Sequence, residues 1–330
     1  MKISCYLLFL AACISCLPSH AQTITPKLFG PGIISGPVND AAPAFTPDGK
    51  TVYFHRSGTS LGAVILVSHW QKDKWSTPGI APFSGQWSDI EPAMSPDGSY
   101  MIFSSNRPTR PGGQPLNGYW NNQRFPGSGG NLWRVDLKGD GWGEPYRLPD
   151  IINSDSSIFS PAVAANGNLY FMKPVGDTGK FHIYCSPYRN GKFERAAPVP
   201  FSAADTISDV DAAVAPDESF MILCSRRPPA KKMELFIVFQ KNGQWGTPQD
   251  LGDDLISSWC NEARLSPDHR TLYFASGYAP SVTYPSDPNT TKQQLLQSEW
   301  NTGASNIWFI PLDRWLSASS PLHPSPQQTK

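Results

Sequence analysis

The sequence predicts an all-β chain, a β-propeller of five four-stranded blades in a closed ring. Three observations carry this. One turn-centred phrase recurs along the chain, apolar residues alternate on both sides of it, and the segment before the first copy matches the piece missing after the last. A six-bladed ring is the alternative, but no degenerate sixth copy is found.

The phrase reads "APAFTPDGKTVYFHRS", "EPAMSPDGSYMIFSSNRP", "SPAVAANGNLYFMKP", "DAAVAPDESFMILCSRRP" and "EARLSPDHRTLYFASGY". Its turn residues are Pro47, Pro96, Ala165, Pro216 and Pro267, spaced by about 50 residues. One longer gap holds the insert "TRPGGQPLNGYWNNQRFPGSGG". A first strand leads into each turn and a second leaves it. On the second strand Val52/Phe54, Met101/Phe103, Leu169/Phe171, Met221/Leu223 and Leu272/Phe274 repeat with a period of two, which puts each pair on one face. A third strand follows ("AVILVSHW", "NLWRVDL", "FHIYCSPY", "ELFIVFQ", "NIWFIPL"). A polar hairpin then leads to a fourth ("KWSTPGIAPF", "GWGEPYRLP", "KFERAAPVP", "QWGTPQDL"). The last repeat lacks its fourth strand. "TPKLFGPGIIS" from Thr25 matches "TPQDLGDDLIS" from Thr247, so the N-terminal segment is expected to complete the last blade and close the ring.

Composition agrees. Pro (33), Gly (27) and Trp (11) suit short strands and turns, and 27 basic against 27 acidic residues leave no charge excess with which to grip nucleic acid. Residues 1–21 read as a signal peptide: Lys2, an apolar run to Leu17 that is short for a membrane span, and small residues before Gln22. The expected protein is exported, periplasmic or secreted. Leu10-Ala11-Ala12-Cys13 supports the alternative of a cell-envelope lipoprotein with a lipid anchor at Cys13. The propeller is expected over 22–316 and a disordered tail over 317–330. Cys185, Cys224 and Cys260 form no disulfide framework on this reading, and neither cysteines nor histidines show metal-ligand spacing. No cofactor and no metal are expected, and the protein is expected to be a monomer.

The complete copy, Ser95-Pro96-Asp97-Gly98 through Phe103 to Arg107, resembles the WD40-like repeat of TolB-type exported bacterial propellers. The third copy departs from it with Ala164-Ala165-Asn166-Gly167, and the fourth has Glu218 in place of Gly. The resemblance implies a propeller and leaves function open, because that family supplies both binding scaffolds and enzyme domains.

The second-to-third and fourth-to-first connections share one side of the ring, which also receives inserts 107–129 and 277–303. This loop face is the expected binding side for a protein or carbohydrate. The candidate ligand contacts there are Arg56, Asp89, Glu91, Arg107, Asp209, Asp211, Arg227 and Glu262, with Tyr119, Trp120 and Trp300 from the inserts. Phe125, Tyr278 and Tyr284 add further aromatics, either as contacts or folded back as a lid. Asp209 and Asp211 lie two apart, a spacing that presents both carboxylates on one face of a strand. The same charges also read as acid–base pairs that lock strand ends. A non-catalytic binding propeller is the leading expectation. The alternative is a glycan-active hydrolase or lyase with Glu91, Asp211 and Glu262 as its carboxylates and Arg107 and Arg227 holding substrate. Gly58-x-Ser60-x-Gly62 joins two propeller strands rather than a strand and a helix, so it does not read as a nucleophile elbow. Asp136 to Gly141 reads as a hairpin rather than a calcium loop, because Lys138 occupies a ligand position. His55, His69, His182 and His269 read as satisfied imidazoles.

Overall fold

The computed structural model describes residues 24–58, 62–204, 206–228, 230–252, 258–278, 285–298 and 303–318. The expected leader with Cys13, Thr59 to Leu61, Tyr284, Trp300 and residues 319–330 lie outside the described residues. Five antiparallel blades are present. Their innermost strands are Asn39–Phe45, Asp89–Met94, Phe159–Val163, Asp209–Val214 and Asn261–Leu265, and each neighbours the next all the way round. The chain end closes the ring as expected: Lys27–Leu28 pairs with Asn306–Pro311, in the register Lys27 with Phe309 and Leu28 with Trp308.

The alternation seen in the sequence is the packing. Each second strand is sandwiched between blades, so Phe54, Phe103, Phe171 and Phe274 are at most 1% exposed, and the residues beside them, such as Ile102 and Tyr170, are buried as well. Five apolar clusters result, one in each cleft between neighbouring blades. Each buried side chain of this size contributes roughly 1.5–3 kcal/mol. Aromatics from the outer hairpins seal the clefts. Trp142 stands edge-on to Tyr53 of the preceding blade with ring centroids 5.8 Å apart, and its indole N–H donates to the Tyr53 hydroxyl at 2.9 Å.

The repeated turn is held by its aspartate. Asp97 Oδ1 accepts from Ser95 Oγ at 2.7 Å and from the Ser99 amide at 3.0 Å, and these bonds hold its carboxyl below the usual range. Gly98 has φ +74, and a Cβ there would sit 2.8 Å from Pro47 Cδ of the neighbouring turn. Glu218 occupies the same turn position with φ +58. It is held there by the preceding blade, accepting from Asn166 at 2.8 Å, Asn168 at 2.9 Å and the Tyr170 hydroxyl at 2.6 Å.

Two elements were not anticipated. The second insert carries the helix Pro288–Ser298, started by Asp287, whose Oδ1 accepts from the Asn289 amide at 2.9 Å, with Pro288 in the first turn. A short helix, Asp313–Ala318, follows the last strand. Cys185, Cys224 and Cys260 are free thiols.

Candidate functional site

Asp40, Asp89 and Asp209 lie at the start of three innermost strands and are fully buried, each in an ion pair with an arginine near the end of the second strand of its blade or just beyond it: Arg56, Arg107 and Arg227. Each arginine also donates to a backbone carbonyl on the segment leading into its blade: Arg56 to Ile34, Arg107 to Phe83 and Arg227 to Phe201. The pairs tie blade to connector. In the other two blades Ile158 and Cys260, 0% and 1% exposed, take the aspartate's place, and no ion pair joins the strand ends there among the described residues. These five candidate contacts and Asp40 are thus paired within the fold, although Asp209 Oδ1 is buried without a hydrogen-bond partner among the described residues.

Two residues further along each innermost strand the backbone turns left-handed. Ala42, Glu91, Ser160, Asp211 and Glu262 have φ between +50 and +56. At each one the pairing with the second strand shifts register, as a β-bulge does. The bulge corrects the expectation that Asp209 and Asp211 share a face, because strict alternation ends between Val210 and Ala213. Asp209 goes to Arg227, while Asp211 goes to the axis.

The bulges stitch blades together around the axis. Glu91 Oε2 accepts from the Ser160 amide of the next blade at 2.6 Å and from Ser104 Oγ at 2.8 Å. Asp211 Oδ2 accepts from the Glu262 amide at 3.0 Å. The Glu91 amide donates to His55 Nδ1 at 3.2 Å, and Glu262 Oε2 lies 3.5 Å from the same nitrogen. The three carboxyls singled out in the sequence as an acid set are thus brought together, with His55 added to them.

Their protonation follows from burial. Glu91 is pushed from 4.5 up to about 7 by burial and then by the negative charge of Asp211. Burial also raises Asp211, and burial with Glu91 and Asp211 raises Glu262 well above the carboxylate range. His55 is held down to about 3 by burial and by Arg264, so it is neutral and its Nδ1 accepts. A carboxyl whose folded pKa is raised adds stability that is complete below its unfolded value of 4.5 and is lost as pH climbs through 7. His55 runs the opposite way, losing stability as pH falls below 6.5. Gln at position 91 keeps an acceptor for Ser160 and Ser104 but cannot ionise. Glu91→Gln is therefore expected to melt close to the parent at about pH 5 and above it at about pH 8. Melting curves whose gap does not widen between those pH values would contradict this.

A cavity of about 300 Å³ lies on the axis. It opens on the turn face, between Pro47, Pro96, Pro216 and Pro267, opposite the loop face to which the sequence reading assigned the ligand. Its walls are apolar, and Arg264 is the one permanently charged side chain among its lining. Glu91, Asp211 and Glu262 do not line it. Arg264 is 6% exposed and lies among residues that are small in the other blades. The sequence reading missed it; comparison of the five copies at this position shows four alanines and one arginine.

On the loop face the first insert forms a hairpin, Gly118–Trp120 with Gln123–Phe125, turned by Asn121 and Asn122 at φ +49 and +59. Tyr119 and Trp120 are 50% and 42% exposed, and the Trp120 indole donates to Gly179 O of the next blade at 3.0 Å. A groove of about 290 Å³ runs beside this insert, between Gly62, Ser88, Asn106, Ser128 and Phe159. Tyr278 is turned inward, edge-on to Trp308 with ring centroids 4.9 Å apart.

No family model matches the chain, and no curated protein matches it. Solved structures do. TolB from Acinetobacter baumannii is 14% identical over 83% of this chain and 54% of its own, with a TM-score of 0.44. The chain therefore spans about half the length of that protein. A putative TolB from Agrobacterium tumefaciens is 17% identical over 76% of this chain and 74% of its own, with a TM-score of 0.45. A gluconolactonase from Xanthomonas campestris is 11% identical over 87% of this chain and 94% of its own, with a TM-score of 0.47. No helix among the described residues is long and apolar enough to cross a membrane. By its own strand pairings the chain is an all-β, five-bladed propeller, and TolB-like propellers are among its structural neighbours.

Proposed function

We propose that the chain is an exported, non-catalytic propeller that binds a protein or glycan partner at one end of its ring. Export rests on the apolar leader, with lipid attachment at Cys13 as the alternative route to the envelope. One observation carries the binding reading: the open cavity on the axis is walled by apolar side chains and by Arg264, while the three buried carboxyls lie outside its lining. A hydrolase of this kind needs its acid and base within reach of the substrate, and here neither faces the space a substrate would enter.

The glycan-active reading draws on the gathering of Glu91, Asp211 and Glu262 with raised proton affinity. Turnover separates the two. The full chain, incubated with a panel of neutral and acidic polysaccharides, is expected to release no reducing ends. Release that disappears in Glu262→Gln would overturn the binding reading in favour of the enzyme.

The half-exposed Tyr119 and Trp120 support contact on the loop face as well. With a captured partner in hand, Ala93→Phe blocks the axial cavity and deletion of 109–128 removes the hairpin. The axial reading expects the first to abolish binding and the second to leave most of it.

A further inference from the structure

The mouth of the axial cavity is ringed by acids. Each of the four prolines at its rim precedes an exposed aspartate, Asp48, Asp97, Asp217 and Asp268, and the remaining turn carries Asn166 in that place. The turns touch one another round the axis. The Ala165 amide donates to Pro216 O at 2.8 Å, and Gly98 and Gly49 pack against Pro47 and Pro267 of neighbouring turns. Within each turn the hydrogen bonds go to Oδ1 of the aspartate, from Thr46, Ser95, Ser219 and Ser266 hydroxyls at 2.5–2.7 Å. Oδ2 of each receives none among the described residues. The hydroxyl bonds hold all four carboxyls below the usual range, so the ring is ionised at neutral pH.

Few cations offset it. Lys50 and the Arg270–Asp313 pair stand beside the ring, and burial holds His269 below its usual range and neutral. Lys72, Lys74, Lys138, Arg189, Lys192 and Lys241 belong to the outer hairpins, away from the axis. A chain with no formal net charge thus gathers negative charge round this opening.

Inside the ring the walls are apolar. Phe45, Met94, Val163, Val214 and Leu265 surround the space, and the charge of Arg264 acts on the buried Glu91, Asp211 and Glu262. A volume of about 300 Å³ suits a single residue-sized group. A neutral sugar has no charge for the rim and needs directed hydrogen bonds that these walls do not offer. A second copy of this chain, met through the same face, would set acid against acid. A basic segment that carries an apolar side chain fits both the socket and its rim.

We propose that the turn face docks a segment of a partner protein that places one apolar side chain in the axial cavity and sets lysines or arginines against Asp48, Asp97, Asp217 and Asp268. The inference rests on the axial binding reading above and names the class of its partner.

The test is calorimetric titration of the full chain with acetyl-Lys-Lys-Leu-Lys-Lys-amide, the same peptide with Ser for Leu, the same with Glu for every Lys, and cellohexaose. The cationic leucine peptide is expected to bind, and the serine and glutamate peptides to bind at least about 10-fold more weakly. Raising salt from about 0.05 to about 0.3 M is expected to weaken the first by about 10-fold. Asp48→Asn, Asp97→Asn and Asp268→Asn combined should weaken it by a similar factor. Asparagine keeps the Oδ1 acceptor, as Asn166 does for the Asn168 amide at 2.9 Å. The peptide comparison uses the unaltered chain, so it decides the matter even where the triple variant fails to fold. Full affinity for the serine peptide overturns the socket. Equal binding of the lysine and glutamate peptides overturns the cationic partner; if that binding is lost in Ala93→Phe, the axial binding reading survives without it. Binding of cellohexaose in place of the cationic peptide overturns the inference in favour of a glycan. No binding of any probe also overturns it and leaves the axial reading to its own partner and turnover assays.

Discussion

Asp89→Ala is expected to cost about 3–5 kcal/mol of folding stability, because it strands a buried arginine rather than because the ion pair is strong. Asp89 is fully buried, and burial raises its carboxyl even against the lowering effect of Arg107. The pair is therefore a weak net contributor while intact. Its removal is another matter. Asp89 accepts from Ser105 Oγ at 2.7 Å, from Ser84 Oγ at 2.7 Å and from both terminal nitrogens of Arg107, and Arg107 is only 8% exposed. Alanine leaves all these donors short of a partner. Blades that carry Ile158 or Cys260 in the aspartate's place show the alternative solution, an apolar residue with no ion pair. Asp89→Ile combined with Arg107→Leu is accordingly expected to recover most of the loss, to within about 1–2 kcal/mol of the parent. Urea unfolding of the two singles and the double checks this. A single mutant within about 0.5 kcal/mol of the parent would show that the pair does not hold the connector.

The second large effect concerns ring closure. Among the described residues Lys27 and Leu28 alone form the ladder with the last third strand, and two residues of ladder cannot hold the ring by hydrogen bonds alone. Phe29, next along, carries the load. Its amide donates to Ile307 O at 2.8 Å, and its ring meets Tyr273 at 5.0 Å, Phe45 and Trp75 both at 5.7 Å, and Phe309 at 6.5 Å, centroid to centroid. These aromatics come from blades 1 and 5, and Phe29 fills the cleft between them. Phe29→Ala is expected to lose about 3–5 kcal/mol through lost transfer energy and the cavity left behind. Phe29→Leu should lose less, since it keeps most of the volume. Melting curves together with limited proteolysis near the N-terminus report the outcome. An alanine variant that melts with the parent and resists protease would mean that closure does not depend on this ring.

The fold was legible because its repeat is written twice, in the turn residues from Pro47 to Pro267 and in the apolar pairs flanking them. Closure was legible too, from the match between the segments at Thr25 and Thr247. The axial geometry was not. A left-handed residue is betrayed by glycine in most contexts, but here the five positions hold Ala42, Glu91, Ser160, Asp211 and Glu262. Nothing in those identities announces a bulge, so counting residues in twos misplaced Asp211 relative to Asp209. Arg264 escaped for a different reason. Beside Glu262 it reads as half of a surface ion pair, and only its register against Ala44, Ala93, Ala162 and Ala213 shows that it projects where every other blade is small. The helix Pro288–Ser298 did have a signal, Asp287-Pro288, which a search for strands passes over.

The meeting of the two chain ends in one sheet has a mechanical consequence. Lys27 faces Phe309 and Leu28 faces Trp308, so both ends leave the antiparallel pair from the same side. Tension applied between the termini would load those rungs one after another, as in a zipper, instead of all at once as in shear. A tether pulled at either end would thus open the circle at this seam before disturbing the remaining sheets.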